Sequence, residues 1–213
     1  MNPCCKAIRF PQFWLLMGAC ALSAEPLAVP TLRQGDIVFT GSEHGQGGAI
    51  MAATNSVFTH CGVVFEQDGK LMVIEAVQPV KVTGIMDFIG RAKPPALAFK
   101  RLTKPLDPDK AAKAIEWAAA QIGRPYDHLF QWGDDRLYCS ELVWKIFGKA
   151  GVELCKPKAV REYRLEHPKV RALIIERFGK PENLRLDEMV VAPSDLAGSP
   201  LLEDLPIGGT GGR

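Results

Sequence analysis

The stretch from Gly133 to Trp144, Gly-Asp-Asp-Arg-Leu-Tyr-Cys-Ser-Glu-Leu-Val-Trp, decides how the rest of the chain is interpreted. It is a polar loop that runs into an amphipathic helix: apolar residues recur at helical spacing after Cys139, and Gly151 follows as a stop. A thiol in the first helical turn faces unpaired N–H groups and the positive end of the helix dipole, which favour the thiolate. The stretch therefore predicts a cysteine nucleophile, although a free cysteine is more commonly a small buried hydrophobe.

The clearest β structure lies at residues 57–77, where two strands flank Asp68-Gly69, a type I′ turn signal. If these two residues form the loop, Glu75 faces Gly62 across the ladder. His60 and Glu75 then project from one face of the sheet as diagonal neighbours, roughly 5–8 Å apart. Gly62 leaves room for the imidazole to lean toward the carboxylate. This geometry suits a base and the acid that orients it.

The remaining elements follow from periodicity and capping signals. Asp107 is a predicted N-cap with Pro108 at the first helical position, and this helix is expected to end at Gly123. The chain shows no internal repeat and no second domain. Further strands are predicted at 37–40, 80–83 and 96–102, one or two helical turns at 49–54, and a helix at 168–178.

Composition limits the partners and the cofactors. A chain of 213 residues with a formal net charge of +2 can form one core, and this balance gives no reason to expect nucleic acid as a partner. Three of the six cysteines, Cys61, Cys139 and Cys155, lie outside the N-terminal segment. Because no CxxC or HxxxH spacing is present, a structural zinc site is not expected. No motif indicates another cofactor, and none is predicted.

The N-terminus has the pattern of an export signal. Basic residues precede an apolar run at 13–22, and small residues with Glu25 follow, so residues 1–24 are predicted to be a signal peptide. Met17-Gly18-Ala19-Cys20 is an imperfect lipoprotein box, which leaves open an acylated Cys20 as membrane anchor. In both cases the protein is expected in the periplasm or cell envelope. A linker at 25–34, a catalytic domain at 35–205 and a flexible tail at 206–213 complete the predicted organisation.

Several short motifs together carry a family resemblance. The segments Gly123-Arg124-Pro125-Tyr126 and Tyr138-Cys139-Ser140-Glu141-Leu142-Val143 resemble the approach to the cysteine helix in NlpC-type papain-like amidases. In that group the cysteine usually precedes the histidine. Here Gly35-Asp36-Ile37-Val38-Phe39, Thr59-His60-Cys61-Gly62-Val63-Val64 and Val73-Ile74-Glu75-Ala76 come first, which resembles the circularly permuted YiiX/YaeF-like branch. The resemblance runs from about residue 35 to residue 202.

The resemblance implies an α+β, permuted papain-like fold, with a small antiparallel sheet or barrel packed on the cysteine helix. It also implies a nucleophile at Cys139, a base at His60 and an orienting acid at Glu75. These residues would act on an amide, ester or thioester carbonyl through an acyl-enzyme, and N–H groups at the start of the cysteine helix would stabilise the oxyanion.

Four further residues are candidates for substrate binding or the oxyanion site. Tyr126 could donate a hydrogen bond to the oxyanion, or it could be a tyrosine with a buried ring and a solvated hydroxyl. His44 lies in a glycine-rich loop that is expected to be solvated but could close over a substrate. Tyr138 and Ser140 flank Cys139 in the sequence. Because Ser140 projects in a different direction around the helix, it is interpreted as a supporting residue.

Three functions remain open from the sequence. The first is an exported cysteine amidase or peptidase that acts on peptide amide bonds of the cell wall. The second is a hydrolase or acyltransferase that uses the same triad on an acyl lipid, and the third is a non-catalytic envelope protein that binds lipid. A deep apolar channel beside Cys139 would favour a lipid substrate, whereas an open polar cleft would favour a peptide.

Overall fold

The computed structural model describes residues 29–92 and 95–207. The predicted signal peptide, the Cys20 anchor and positions 208–213 of the predicted tail lie outside this range. Within it, the fold is α+β, as predicted, and it is built around one antiparallel sheet with the strand order β4-β3-β2-β1-β5-β8. The strands are β1 (Ile37–Thr40), β2 (His60–Gln67), β3 (Lys70–Glu75), β4 (Lys81–Gly84), β5 (Leu97–Leu102), β6 (Lys158–Ala159), β7 (Met189–Val190) and β8 (Leu202–Leu205).

Helices cover both faces of the sheet and one of its ends. No helix of the described residues is long and apolar enough to cross a membrane. The α-helices are α1 (Gly47–Thr54), α2 (Ile85–Ile89), α3 (Pro108–Ala119), α4 (Cys139–Lys149), α5 (Pro168–Phe178) and α6 (Pro193–Ala197).

The hairpin between β2 and β3 has the predicted register. Asp68 and Gly69 form the turn with positive φ angles of 51° and 71°, and Val63 pairs with Ile74. The first strand of the hairpin begins at His60 rather than at residue 57, so this boundary was predicted three residues too early. The reason is that β1 ends at the pair between Thr40 and His60, which leaves the preceding residues without a strand to pair with.

The side chains of the sheet alternate between two apolar cores. Cys61 and Val63 point to the face that α3 and α4 cover, while Val64 and Val73 point to the face that α2 covers. By the same alternation, His60 and Gly62 belong to the α2 face. His60 is the first residue of β2 and lies at the end of the sheet, where the start of α4 can reach it.

The cysteine helix and the helix before it follow their capping signals. Helix α4 begins at Cys139, and Gly151, with φ 77°, lies just after its end. Asp107 caps α3 by accepting hydrogen bonds from the N–H groups of Asp109 and Lys110 at 3.1 and 3.2 Å. Helix α3 ends at Ala119, before the predicted stop, because the next residues form tighter i→i−3 turns.

A third, smaller apolar cluster lies between α1 and α5. Ala49 of α1 packs with Val170 and Ile174 of α5, and all three side chains are buried. Helix α5 spans Pro168–Phe178, as predicted. These two helices form much of the wall of a cavity whose lining includes Cys139 at the start of α4.

Candidate active site

Cys139 is the first residue of α4, and its side chain is buried, with 3% exposure. Its sulfur lies 4.0 Å from the carbonyl oxygen of Thr59, directly before His60 in the chain. The neighbouring Cys61 thiol makes the largest contribution to the pKa of Cys139, which lies well below its usual value. Burial opposes this effect, and the hydrogen bond and positive charge of His60 reinforce it. Cys139 is therefore suited to be a thiolate nucleophile.

Glu75 and His60 form a short hydrogen bond, with 2.6 Å between His60 Nε2 and Glu75 Oε2. The Glu75 side chain is fully buried, and its other oxygen accepts hydrogen bonds from Thr83 at 2.5 Å and Arg91 at 2.7 Å. Burial raises the pKa of Glu75, but these donors, His60 first, lower it to about 2. Glu75 is therefore a carboxylate throughout the neutral range.

The two ring nitrogens of His60 have separate partners. Because Nε2 bonds Glu75, Nδ1 is the nitrogen that remains available for proton exchange with the Cys139 sulfur. Burial lowers the pKa of His60, but the hydrogen bonds and charges of Cys139 and Glu75 raise it to about 9. The arrangement therefore favours an imidazolium paired with a thiolate at neutral pH.

Phe88 of α2 supports the imidazole from the side. Its ring stacks on the His60 ring at a centroid distance of 5.4 Å, and the Arg91 guanidinium lies 4.9 Å from the Phe88 centroid. A Cβ atom at Gly62 would lie 3.2 Å from the Phe88 ring, 2.4 Å from Val73 and 2.8 Å from a backbone oxygen. Phe88 and strand β3 therefore occupy the space beside Gly62 that was expected to hold the imidazole. The His60 ring instead contacts Glu75 across the same face of the sheet.

Tyr138 and Ser140 both bind the backbone of Val191. The Tyr138 hydroxyl accepts a hydrogen bond from the Val191 N–H at 3.1 Å, and the Ser140 hydroxyl donates to the Val191 carbonyl at 2.6 Å. They attach the segment between β7 and α6 to the start of α4. Both residues are buried and line the cavity next to Cys139.

Tyr126 is buried beside the start of α4, and His44 is exposed. The backbone of Tyr126 forms a parallel bridge with Leu137, two residues before the nucleophile, and its hydroxyl accepts a hydrogen bond from Gln46. His44 lies in the turn before α1, and within the described residues its side chain makes no hydrogen bond. The structure thus places Tyr126 and Cys139 in one core cluster and leaves His44 at the surface.

An apolar cavity of about 150 Å³ opens beside Cys139. It is bounded by α1, α5, the start of α4 and the segment 190–193. Among the described residues that line it, Arg177 is the only one with a charged side-chain type. The cavity can therefore accept a hydrocarbon group beside Cys139.

Several residues of the site gave little signal in the sequence. Cys61 is buried in the core, and its thiol also lowers the pKa of Cys139. Thr83 lies on the strand paired with β3, two residues beyond the partner of Glu75, so strand alternation could have placed it on the face of the carboxylate. No local pattern indicated Arg91, Phe88 or the cavity. Across residues 29–92 and 95–207, no group of three or more His, Cys, Asp or Glu side chains could hold a metal ion.

Comparisons with known proteins agree with this geometry. A family model described as permuted papain-like amidase enzyme, YaeF/YiiX, C92 family, matches residues 31–205. The uncharacterized protein YiiX of Escherichia coli (strain K12) is 36% identical over 171 residues, which cover 80% of this chain and 84% of that protein. The crystal structure of a protein described as metalloprotein yiiX from Escherichia coli O157:H7 is similar with a TM-score of 0.77 and 34% identity, over 83% of this chain and 97% of the other. The resemblance in the sequence is thereby confirmed: the chain belongs to the C92 family of permuted papain-like amidases and is a papain-like cysteine hydrolase.

Proposed function

We propose that the protein hydrolyses an amide bond through an acyl-enzyme, with Cys139 as nucleophile, His60 as general base and acid, and Glu75 as orienting acid. The observation that carries this proposal is the short hydrogen bond between His60 and the buried Glu75, next to a cysteine whose pKa is lowered by Cys61 and by His60. A nucleophile, a base in contact with it and a third group that orients the base are the parts that covalent catalysis requires.

Each step follows from the hydrogen-bond pattern. The Cys139 thiolate attacks the carbonyl carbon, and the new C–S bond leaves a negative charge on the carbonyl oxygen. The N–H of Cys139, at the start of α4, and the Tyr126 hydroxyl are the donors proposed for this oxyanion. The intermediate collapses as the C–N bond breaks and His60 Nδ1 gives its proton to the leaving amine. Water then attacks the thioester, His60 accepts the proton of that water, and the acid leaves while the thiolate re-forms.

The cavity favours an apolar acyl group as the carbonyl side of the substrate. An apolar cavity of similar size holds benzene, so this one has room for about six carbon atoms. Its apolar lining favours an N-acyl amide over the cell-wall peptide that the export signal and the triad suggested. A longer chain would extend through the open side of the cavity.

Chain-length dependence of hydrolysis tests both the triad and the substrate class. With N-acyl 4-nitroanilides of increasing acyl length, we expect kcat/KM to rise until about six carbons are buried and then to level off. Cys139→Ala should reduce hydrolysis to the uncatalysed rate. Ala53→Leu, which narrows the cavity, should shift the preference to shorter chains, while Ala112→Leu at an exposed position of α3 should not. Peptide nitroanilides that are cleaved faster than every acyl amide would refute the acyl proposal and favour the cell-wall peptide.

Alkylation by iodoacetamide separates an enzyme from a binding protein that retains an unused triad. The wild-type protein is expected to react at Cys139 well below pH 8, and His60→Ala should lose this reactivity. The buried Cys61 thiol has a raised pKa and should stay unmodified. Equal, slow reaction of both proteins would favour the non-catalytic alternative.

We also propose that the protein is exported to the periplasm or cell envelope. The pattern of residues 1–24 supports this, with cleavage near Ser23 or Ala24. Mass spectrometry of the mature N-terminus after cell fractionation tests it. A chain that begins at an acylated Cys20 would show membrane anchoring, and a cytoplasmic chain that retains Met1 would refute export.

A further inference from the structure

The Tyr126 side chain lies in the same core cluster as Cys139. The side chain is buried, with 5% exposure, and its oxygen accepts a hydrogen bond from Gln46 Nε2 at 2.8 Å. Among the described residues, no acceptor takes the Tyr126 hydrogen. A buried O–H group without an acceptor has a cost in stability, which a substrate oxygen could offset.

Arg177 fixes the orientation of the Gln46 amide. The guanidinium Nη2 donates to Gln46 Oε1, and Nη1 donates to the carbonyl oxygen of His128 at 2.6 Å. Because a guanidinium carries donors only, the oxygen of the amide must face Arg177 and its NH₂ group must face Tyr126. The Phe130 ring, with its centroid 5.0 Å from the guanidinium carbon, further holds Arg177 in place.

We propose that Arg177 and Gln46 are positioning residues that direct the Tyr126 O–H toward the oxyanion of the acyl transfer. Every hydrogen bond in the series runs in one direction, from Arg177 to Gln46 and from Gln46 to Tyr126. The tyrosine oxygen is then occupied as an acceptor, so its hydrogen is left for the substrate. Donation into that oxygen also polarises the O–H and strengthens it as a donor. This inference rests on the proposed function, since it assigns a role to residues around that same site.

The electrostatic surroundings keep Tyr126 in the form that can donate. Burial raises the pKa of Tyr126 well above its usual value, and the negative charge of Cys139 raises it further, while Gln46 and Arg177 act in the opposite direction. The hydroxyl is therefore protonated at neutral pH. The oxyanion is negatively charged, as the thiolate is. It should therefore also raise the pKa of Tyr126 and keep the hydroxyl protonated.

Gln46→Glu is the decisive substitution because it reverses one hydrogen bond and keeps the size of the side chain. A carboxylate beside Arg177 forms a strong ion pair, so the local structure should be retained. The carboxylate accepts only, which makes the Tyr126 O–H turn toward it and away from the substrate. We expect kcat to fall by about 10²–10³-fold, the usual cost of one oxyanion donor, with KM little changed. A merely structural role for Gln46 predicts wild-type kcat, and that result would overturn the proposal.

A double-mutant cycle with Tyr126→Phe tests whether Gln46 affects kcat through the Tyr126 hydroxyl. Tyr126→Phe should lower kcat to a similar extent, and Gln46→Glu should then cause no further loss because the hydroxyl that it redirects is already absent. Independent, multiplicative losses would overturn the proposal. Alkylation of Cys139 forms no oxyanion, so its rate should change little in either variant. Full activity in Cys139→Ala would instead refute the proposed function itself.

Arg177→Met tests the first link, with Arg171→Met as a matched control on the same helix. Arg171 pairs only with the exposed Glu166 in the described residues, so its loss should leave kcat unchanged. Loss of Arg177 frees the Gln46 amide to rotate, and kcat should fall by a smaller factor than in Gln46→Glu. A rise in KM at constant kcat would show that Arg177 binds the substrate, which would contradict its role as a positioning residue.

Discussion

Two glutamates with fully buried side chains lie close to the nucleophile, and their hydrogen-bond donors differ. Glu75 receives short bonds of 2.5–2.7 Å from Thr83, His60 and Arg91, and its pKa falls to about 2. Glu141 receives longer bonds of 3.3 and 3.4 Å from the backbone N–H groups of Gly133 and Tyr138, together with an ion pair to Lys145 at 2.9 Å. Burial raises the pKa of Glu141, these donors lower it only in part, and it comes to about 7.

The difference shows that donors, rather than burial, decide what a buried carboxylate can do. Glu75 keeps its charge and can stabilise an imidazolium. Glu141 is bonded to backbone groups on both sides of the loop before α4, so it holds that loop closed. One carboxylate is therefore expected to serve the chemistry and the other to serve the structure that presents Cys139.

Replacing each glutamate with glutamine is expected to separate these roles, and Glu75→Gln should have the largest effect. An amide cannot stabilise the imidazolium, and its NH₂ group would favour the wrong tautomer of His60. We therefore expect kcat/KM to fall by about 10²–10⁴-fold in Glu75→Gln. Glu141→Gln is the same chemical change and should retain most of the activity. Steady-state kinetics of the two variants checks this, and equal losses would contradict the comparison.

The pH dependence of stability should differ in sign between the two glutamates. The folded-state pKa of Glu141 is raised, so its contribution to stability is present below pH 4.5 and lost as the pH rises through 7. That of Glu75 is lowered, so its contribution is present above pH 4.5 and lost as the pH falls toward 2. Relative to the wild type, Glu141→Gln should therefore gain stability between pH 4.5 and 7, by up to about 3 kcal/mol at about 1.4 kcal/mol per pH unit.

Urea unfolding of wild type and Glu141→Gln across this interval measures the difference. A constant difference between the two proteins from pH 4.5 to 7 would show that Glu141 titrates normally. Glu75→Gln serves as the control, since its own difference from the wild type should stay constant between pH 4.5 and 6.5 and change below pH 4.5, and above pH 6.5 through His60.

The strand half of the site was predictable, because its geometry depends on local rules. The turn at Asp68-Gly69 sets the register, and a period of two then places His60 and Glu75 on one face. Cys139 was predictable for a similar reason, since a polar loop, an apolar periodicity and Gly151 together define where its helix begins and ends.

The remaining parts depend on contacts between distant segments. Gln46 and Arg177 are 131 residues apart, and α1 and α5 pack on each other to form much of the cavity wall. Such packing is decided by complementary shape, which no single stretch of sequence encodes. Arg91 follows a helix of five residues and reaches Glu75 only because Phe88 places that helix against the sheet.

Gly62→Ala tests the packing on the Glu75 side and should destabilise the protein by about 1–3 kcal/mol. The added methyl group would collide with Val73 and a backbone oxygen and would press on Phe88. Gly148→Ala is the matched control: its Cβ would meet nothing within 4 Å in α4, so it should stabilise by about 0.5–1 kcal/mol. Unfolding curves give both values. Two stabilising substitutions would show that the space at Gly62 is not needed.

Arg91→Met is expected to have the smallest effect, although Arg91 bonds Glu75 directly. Its side chain is 45% exposed, so solvent screens the ion pair, and a loss of about 1 kcal/mol or less in stability is expected. His60 and Thr83 still donate to the carboxylate, so Glu75 should stay charged at neutral pH and kcat/KM should fall far less than in Glu75→Gln. Parallel measurement of unfolding and kinetics checks both. If Arg91→Met reduced kcat/KM as much as Glu75→Gln, the exposed Arg91 alone would keep Glu75 ionised. The difference in pKa between Glu75 and Glu141 would then depend on Arg91 and not on the whole set of donors.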